Sequence, residues 1–233
     1  MSHFTHIVTY LLVMLCIANG QMIVNPYKVQ AAAAGGASAS DDFESYATDA
    51  ILPNPPWVAA LGICMIRVVN GNKCAQGNTS SYGMFASYYS TTTFTSNQQA
   101  DVTLEFPTPS TDTSGFGPAC RIQSGSADFY TAIYDHFQSK LYLRVVLAGT
   151  FSEIVTAITK TYAVGNRLGL FVTGEGASTR LTVKEDTGSG WVDVTGMTNI
   201  DPGAGNYLDG GQPGVGGFGG NFTSASAWHA SDQ

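Results

Sequence analysis

Charge is what this sequence has least of. Asp, Glu, Lys and Arg make up 12% of its 233 residues, about half the usual share. Only 10 residues are Lys or Arg, and the formal net charge is −7. Nucleic-acid binding needs clustered basic side chains that release counterions from phosphates, and an anionic membrane surface needs the same, so neither partner is expected. The four cysteines, Cys16, Cys64, Cys74 and Cys120, contain no C-x2-C pair, which argues against a zinc site. His3, His6, His136 and His229 do not cluster in the sequence, so no metal centre is expected from them. There is no G-x-S-x-G elbow for a nucleophilic serine. The glycine run Gly210–Gly220 has no G-K-[ST] ending and is no phosphate-cradling loop. No stretch sustains a helical period of 3.6, and no 20–50-residue repeat marks a propeller or β-helix. The longest apolar run, Ile7–Ala18, is about a dozen residues, too short to span a bilayer.

What is present is alternation. Hydrophobic residues reach 44%, enough for a sizeable core, and there are 27 glycines. Val102, Leu104 and Phe106 alternate with Asp101, Thr103 and Glu105. Leu141, Leu143, Val145 and Leu147 alternate with Lys140, Tyr142, Arg144 and Val146. Leu168, Leu170 and Val172 alternate with Arg167, Gly169 and Phe171. A period of two over five to eight residues is the pattern of strands buried on one face. Turn residues separate the runs at Pro107–Gly117, Ser124–Ser126, Phe137–Ser139 and Gly165–Asn166. Roughly a dozen short strands at this spacing predict an all-β, two-sheet antiparallel β-sandwich or jelly roll. Expected strands include Ile63–Val69, Gly117–Gln123, Phe129–Tyr134, Lys140–Leu147, Phe151–Ile158, Arg167–Thr173 and Ser224–His229, with Asp41–Ser45 an opening strand whose Phe43 points inward. The glycines of 210–220 suit a tight crossover where backbone passes close to backbone.

The N-terminal part reads differently. Residues 1–21 carry an apolar segment with three readings: a secretory signal whose n-region lacks Lys and Arg, a docking arm, or an extension upstream of a start at Met22. Residues 22–40 form an arm. Its run Ala31–Ser40 is a flexible linker or, through the four alanines, a short helix. The folded domain is expected over 41–233. Cys64 and Cys74 flank a hairpin centred on Asn70-Gly71 and are either a cross-strand disulfide or two buried free thiols. Asn78-Thr79-Ser80 and Asn221-Phe222-Thr223 are glycosylation sequons, which matter only in a eukaryotic secretory route.

Four pieces resemble the concanavalin A-like lectin/glucanase superfamily, in its laminin-G-like branch. Asp41-Asp42-Phe43 with Trp57 resembles the opening D-D-F…W. Gly117-Pro118-Ala119-Cys120-Arg121 with Phe129-Tyr130 and Tyr134-Asp135 resembles the central G-x-A-x-R…Y strands. Tyr162–Leu168 resembles the Y-x-x-G-D-x-L approach to a core strand, and Gly210–Gly216 the closing G-x-P-G-I-G turn. The resemblance implies two stacked sheets and a protein that binds glycans, cleaves them, or serves as an adhesive module. The glucanase strand motif E-x-D-x-x-E is absent, so no enzyme is expected. Some members bind calcium; Asp41, Asp42, Asp209 and Asp232 are the oxygen ligands that could do so here, the alternative being solvated loop carboxylates. No other cofactor is implied.

If Leu141, Leu143, Val145 and Leu147 face the core, the alternation puts Arg121, Tyr130, Tyr134, Tyr142 and Arg144 together on the outer face. Rings stack on sugars and guanidinium groups donate to hydroxyls or carboxylates, so these five are the expected ligand-binding residues; the competing reading is a face covered by a loop or a subunit. Trp57, Trp191 and Trp228 read as core or rim residues. Three functions compete. The first is a structural or adhesive protein on a virion surface, of the tailed-phage kind, with other virion proteins or further copies of itself as partners. The second is a secreted, lectin-like carbohydrate-binding protein. The third is a divergent glycoside hydrolase.

Overall fold

A computed structural model describes residues 36–52, 55–77, 83–107, 113–219 and 223–233. The apolar segment of residues 1–21, the start at Met22, the alanine run and the Asn78 sequon lie outside the described residues, as does Asn221 of the second sequon. The strands are β1 (Ser38–Asp41), β2 (Trp57–Leu61), β3 (Cys64–Val69), β4 (Asn72–Gly77), β5 (Met84–Tyr89), β6 (Gln98–Glu105), β7 (Gly115–Ile122) and β8 (Phe129–Asp135). They continue with β9 (Lys140–Leu147), β10 (Thr150–Glu153), β11 (Ile158–Thr159), β12 (Arg167–Thr173), β13 (Arg180–Asp186), β14 (Val192–Asp193), β15 (Gln212–Phe218) and β16 (Ser224–Asp232). They form two antiparallel sheets. One runs β14-β13-β12-β6-β16-β4-β3 with β1 beside β16; the other runs β10-β9-β8-β7-β15-β5-β2 with β11 beside β9. We refer to them by their inner strands as the β6 sheet and the β8 sheet. The fold is the two-sheet sandwich that the alternation predicts.

The core lies between the sheets because the alternating apolar residues face inward from both. Val102 and Leu104 of β6, Leu168 and Leu170 of β12, and Leu141 and Leu143 of β9 are fully buried in one cluster. Register keeps them together, with Leu168 opposite Val102 and Leu170 opposite Ala100. Trp57 and Trp228 meet edge-on at 4.9 Å in this core. Each indole N–H is satisfied, Trp57 by the Asp41 carboxylate at 2.8 Å and Trp228 by the Gly214 carbonyl at 3.0 Å. A buried tryptophan without such an acceptor would lose much of its packing gain. Asp41 also accepts from the Phe43 amide at 2.8 Å and the Tyr46 hydroxyl. The D-D-F…W piece of the sequence is therefore a local clasp that closes the start of the domain.

Several boundaries differ from expectation. The fold starts within the expected arm, since Ser38–Asp41 pairs with Ser231–Trp228 of the last strand. The chain leaves strand geometry at Phe43, whose φ is 58°, although its side chain is fully buried. Phe151–Ile158 is two short strands rather than one, both on β9. The glycine run is no crossover: β15 is a strand between β7 and β5, with one register shift against β7. The close approach is nevertheless real, because a β-carbon on Gly214 would lie 2.0 Å from the Ser87 carbonyl oxygen.

The Asn70-Gly71 hairpin forms as expected, with φ of 50° and 90° at its two turn residues, the left-handed pair that matches strand twist. The disulfide does not form. Cys64 lies opposite Gly77 and Cys74 opposite Arg67, so the two thiols have opposite parity and point to opposite faces. Cys64, Cys74 and Cys120 are free and buried. Burial pushes the Cys64 and Cys74 thiols up to about 12.

Candidate functional site

The five expected ligand-binding residues do not form one platform. Tyr130 and Tyr134 are fully buried and face the inter-sheet core. The Tyr130 hydroxyl donates to the Asn206 carbonyl at 2.6 Å and accepts from the Leu208 amide at 2.7 Å. The Tyr134 hydroxyl accepts from the Tyr162 amide. The outward assignment fails because β8, Phe-Tyr-Thr-Ala-Ile-Tyr-Asp, is buried on both faces, so polarity could not distinguish them. Register decides it: Tyr130 lies opposite Val145 and Tyr134 opposite Leu141, and directly opposed residues share a face.

Arg121 is also internal, with no exposed surface. Pairing of β7 with β15 shifts by one residue between Ala119 and Ile122, and Arg121 takes a φ of 54° within that bulge. A bulge re-aims a side chain. Here it turns the guanidinium inward, where it donates to the carbonyls of Ser96, Gly174 and Leu208 and to the Thr179 hydroxyl. Burial lowers its pKa. It knits three loops and is not available to a ligand. Tyr142 and Arg144 do stay together on the outer face of the β8 sheet, the guanidinium carbon 4.0 Å from the ring centre.

The expected calcium ligands are dispersed among protein donors. Asp41 serves the clasp. Asp232 accepts from the Ala37 and Thr95 amides at 3.0 and 2.7 Å, and Asp209 from the Gly176 amide. Asp42 accepts from the Glu44 amide. Among the described residues no group of three or more His, Cys, Asp or Glu side chains is placed to hold a metal.

A different cluster occupies the outer face of the β6 sheet. One row across the sheet reads Asp193, Lys184, Gly169, Asp101, His229 in direct register. Asp101 is 4% exposed and its two carboxylate oxygens are divided between Arg167 and His229. Oδ1 accepts from Arg167 Nε and Nη2 at 3.2 and 2.6 Å, and Oδ2 lies 3.1 Å from His229 Nδ1. The carboxylate can only accept, so Nδ1 carries the proton, and in a neutral ring Nε2 is an acceptor. Arg167 also stacks on Trp191, its guanidinium carbon 4.6 Å from the ring centre. Trp191 meets Phe171 edge-on at 6.3 Å, and Lys184 Nζ stands 4.7 Å from the Phe171 ring centre.

Gly169 makes this arrangement possible. A β-carbon there would lie 3.0 Å from Phe171 Cε2 and 3.1 Å from Trp191 Cζ3. Without one, the two half-buried rings settle low over the sheet. The result is an edge-to-face aromatic pair, with Arg167 against Trp191 and Lys184 against Phe171. Sequence reasoning placed Arg167, Gly169, Phe171 and Asp101 outward but did not join them, because their junction depends on β6 pairing with β12 and on Trp191 folding over from the β13–β14 turn.

This face holds two carboxylates on one strand, Asp101 and Glu105. They are four residues apart on the strand. Both are also engaged, Glu105 accepting from Asn70 and Asn72 at the hairpin tip.

No protein-family model matches the sequence, and no curated protein matches it. Solved structures of similar arrangement include a carbohydrate binding module, CBM66, from Bacillus subtilis. It is 13% identical, with 76% of this chain and 92% of that chain covered and a TM-score of 0.47. A protein of unknown function from Shewanella oneidensis MR-1 is 14% identical, covering 84% of this chain and 86% of that one at a TM-score of 0.46. Lectin II from Ulex europaeus is 12% identical, covering 84% and 99% at a TM-score of 0.44. The fold assignment rests on the strand order described above. Among the described residues no helix is long and apolar enough to cross a membrane.

Proposed function

We propose that this chain is a non-catalytic carbohydrate-binding module whose glycan lies on the outer face of the β6 sheet. The observation that carries the reading is the Trp191 ring, seated over Gly169 and flanked by the Arg167 guanidinium. A sugar's C–H face stacks on such a ring. The Arg167 Nη1 donor and His229 Nε2 make no hydrogen bond with the described protein and are in position for hydroxyls. Asp101 fixes both groups in advance, which lowers the ordering cost of binding. Screening the full chain and its Trp191→Ala variant on a glycan array tests this: the wild type should retain a defined set of glycans that the variant loses.

A second proposal concerns location. The 12% charged content and 27 glycines support an adhesive protein on a virion surface, partnered by other virion proteins or by copies of itself. Immunogold labelling of intact particles tests it, the alternative being a secreted protein.

A further inference from the structure

The outer face of the β8 sheet holds a buried cation whose hydrogen-bonding capacity is largely unused. Arg144 is 6% exposed. Its guanidinium carbon lies 4.0 Å from the Tyr142 ring centre, 4.2 Å from that of Phe151 and 5.0 Å from that of Phe218. Nε and Nη1 are buried and have no hydrogen-bond partner among the described residues. Among the described residues its ion pair is with Glu153, which faces Arg144 directly across β9 and β10, and the closest approach is 3.6 Å from Nη2. That distance is longer than a hydrogen bond. An unpaired buried donor is costly and calls for an explanation.

Three aromatic rings around a guanidinium fork make a receptor for a planar anion bordered by C–H surface. The fork matches a carboxylate with two parallel N–H···O bonds. Nε and Nη1 are covered in this structure, so a ligand reaches them from the edge of the sheet as Glu153 gives way: every residue of β10 is exposed, Phe151 is 42% exposed, and β10 ends the sheet. At a formal charge of −7 the chain does not draw anions from a distance, so any selectivity has to come from this local fork.

We propose that Arg144 binds the carboxylate of an acidic sugar, a uronic acid residue, and that Glu153 is the internal counter-ion which that carboxylate displaces. The sugar ring then packs against Phe151 and Tyr142. This inference deepens the carbohydrate-binding reading and rests on it, but uses the opposite sheet, so the two sites are separable by mutation.

The test is calorimetric titration of the full chain with tri-galacturonate, the neutral galactose trisaccharide, and sodium acetate and sulfate at matched ionic strength. The expected result is binding of tri-galacturonate that exceeds binding of either simple anion and is unchanged in Trp191→Ala. Glu153→Gln should tighten it by about threefold or more, since the competing carboxylate is gone, and Arg144→Lys should weaken it by about tenfold by removing the fork. Both variants keep the bulk of the side chain, and circular dichroism confirms their fold. The proposal is overturned if tri-galacturonate does not bind, if acetate or sulfate binds as well as it does, if Arg144→Lys binds equally well, or if Glu153→Gln weakens binding. Failure here with neutral glycans still captured through Trp191 would leave the first reading standing.

Discussion

The Arg167 guanidinium lies 4.6 Å from the centre of the Trp191 ring while two of its nitrogens donate to Asp101. The carboxylate below holds the cation in place, and the cation holds the ring. Asp101 is therefore expected to support both stability and binding. Asp101→Ala leaves Arg167 and His229 without their acceptor. Because Arg167 and His229 are both partly exposed, the cost should be about 1–3 kcal/mol rather than that of a fully buried pair. Urea denaturation measures it, and the same variant should lose glycan affinity.

The tryptophan pair is expected to dominate core stability. Trp228→Ala removes a fully buried ring packed on Trp57 and Tyr89, at a cost of about 3–5 kcal/mol. Asp41→Ala strips acceptors from the Trp57 indole, the Tyr46 hydroxyl and the Phe43 amide, and should cost about 2–3 kcal/mol. Chemical denaturation of each variant checks the order, Trp228→Ala being the more damaging.

Glycines should separate into two classes. Gly214→Ala and Gly217→Ala drive a β-carbon to within 2.0 and 2.1 Å of backbone oxygens on neighbouring strands, and β15 must shift to admit it. A loss of about 3 kcal/mol or failure to fold is expected. At Gly165 nothing lies within 4 Å and only the φ of 85° is at issue, so Gly165→Ala should cost about 1 kcal/mol. Thermal melts of the three variants make the comparison.

Acid and neutral conditions should strain adjacent residues in opposite senses. His136 stacks on Phe106 at 3.9 Å, and burial lowers its pKa from 6.5. The folded state thus holds fewer protons at this site, and its contribution is present above pH 6.5 and lost as pH falls through the folded value. Asp135 is raised from 3.8 by burial; its contribution is complete below pH 3.8 and lost as pH rises through the folded value. Urea midpoints across the pH range should show His136→Phe flattening the loss on the acid side, and Asp135→Asn removing the loss that accompanies ionisation.

The three buried thiols should be silent in the native protein. Burial raises all three pKa values, to about 12 for Cys64 and Cys74 and upward for Cys120. The thiolate is the reactive form. Alkylation followed by peptide mapping should find Cys64, Cys74 and Cys120 unlabelled until the protein is unfolded, and should find no Cys64–Cys74 bond without reduction.

The sheets were legible in the sequence because alternation states which side of a strand is wet. β9 and β12 begin and end where expected, and β6 presents Asp101, Thr103 and Glu105 outward as read. The site was legible only as parts. β8 is apolar on both faces, so alternation could not orient Tyr130 and Tyr134, and the bulge at Arg121 breaks the period on which its placement depended. Trp191 stands outside any alternating run. Its seat over Gly169 follows from a cross-strand junction that period-two patterning does not encode.

The most direct test of the account is the affinity of Trp191→Ala for the glycan that the wild-type chain binds most strongly on the array, measured by calorimetry beside its melting temperature. Affinity should fall about tenfold or more, as for loss of a stacking ring, while the melting temperature stays close to wild type. Equal affinity in the variant, or a wild-type chain that retains no glycan at all, would contradict it.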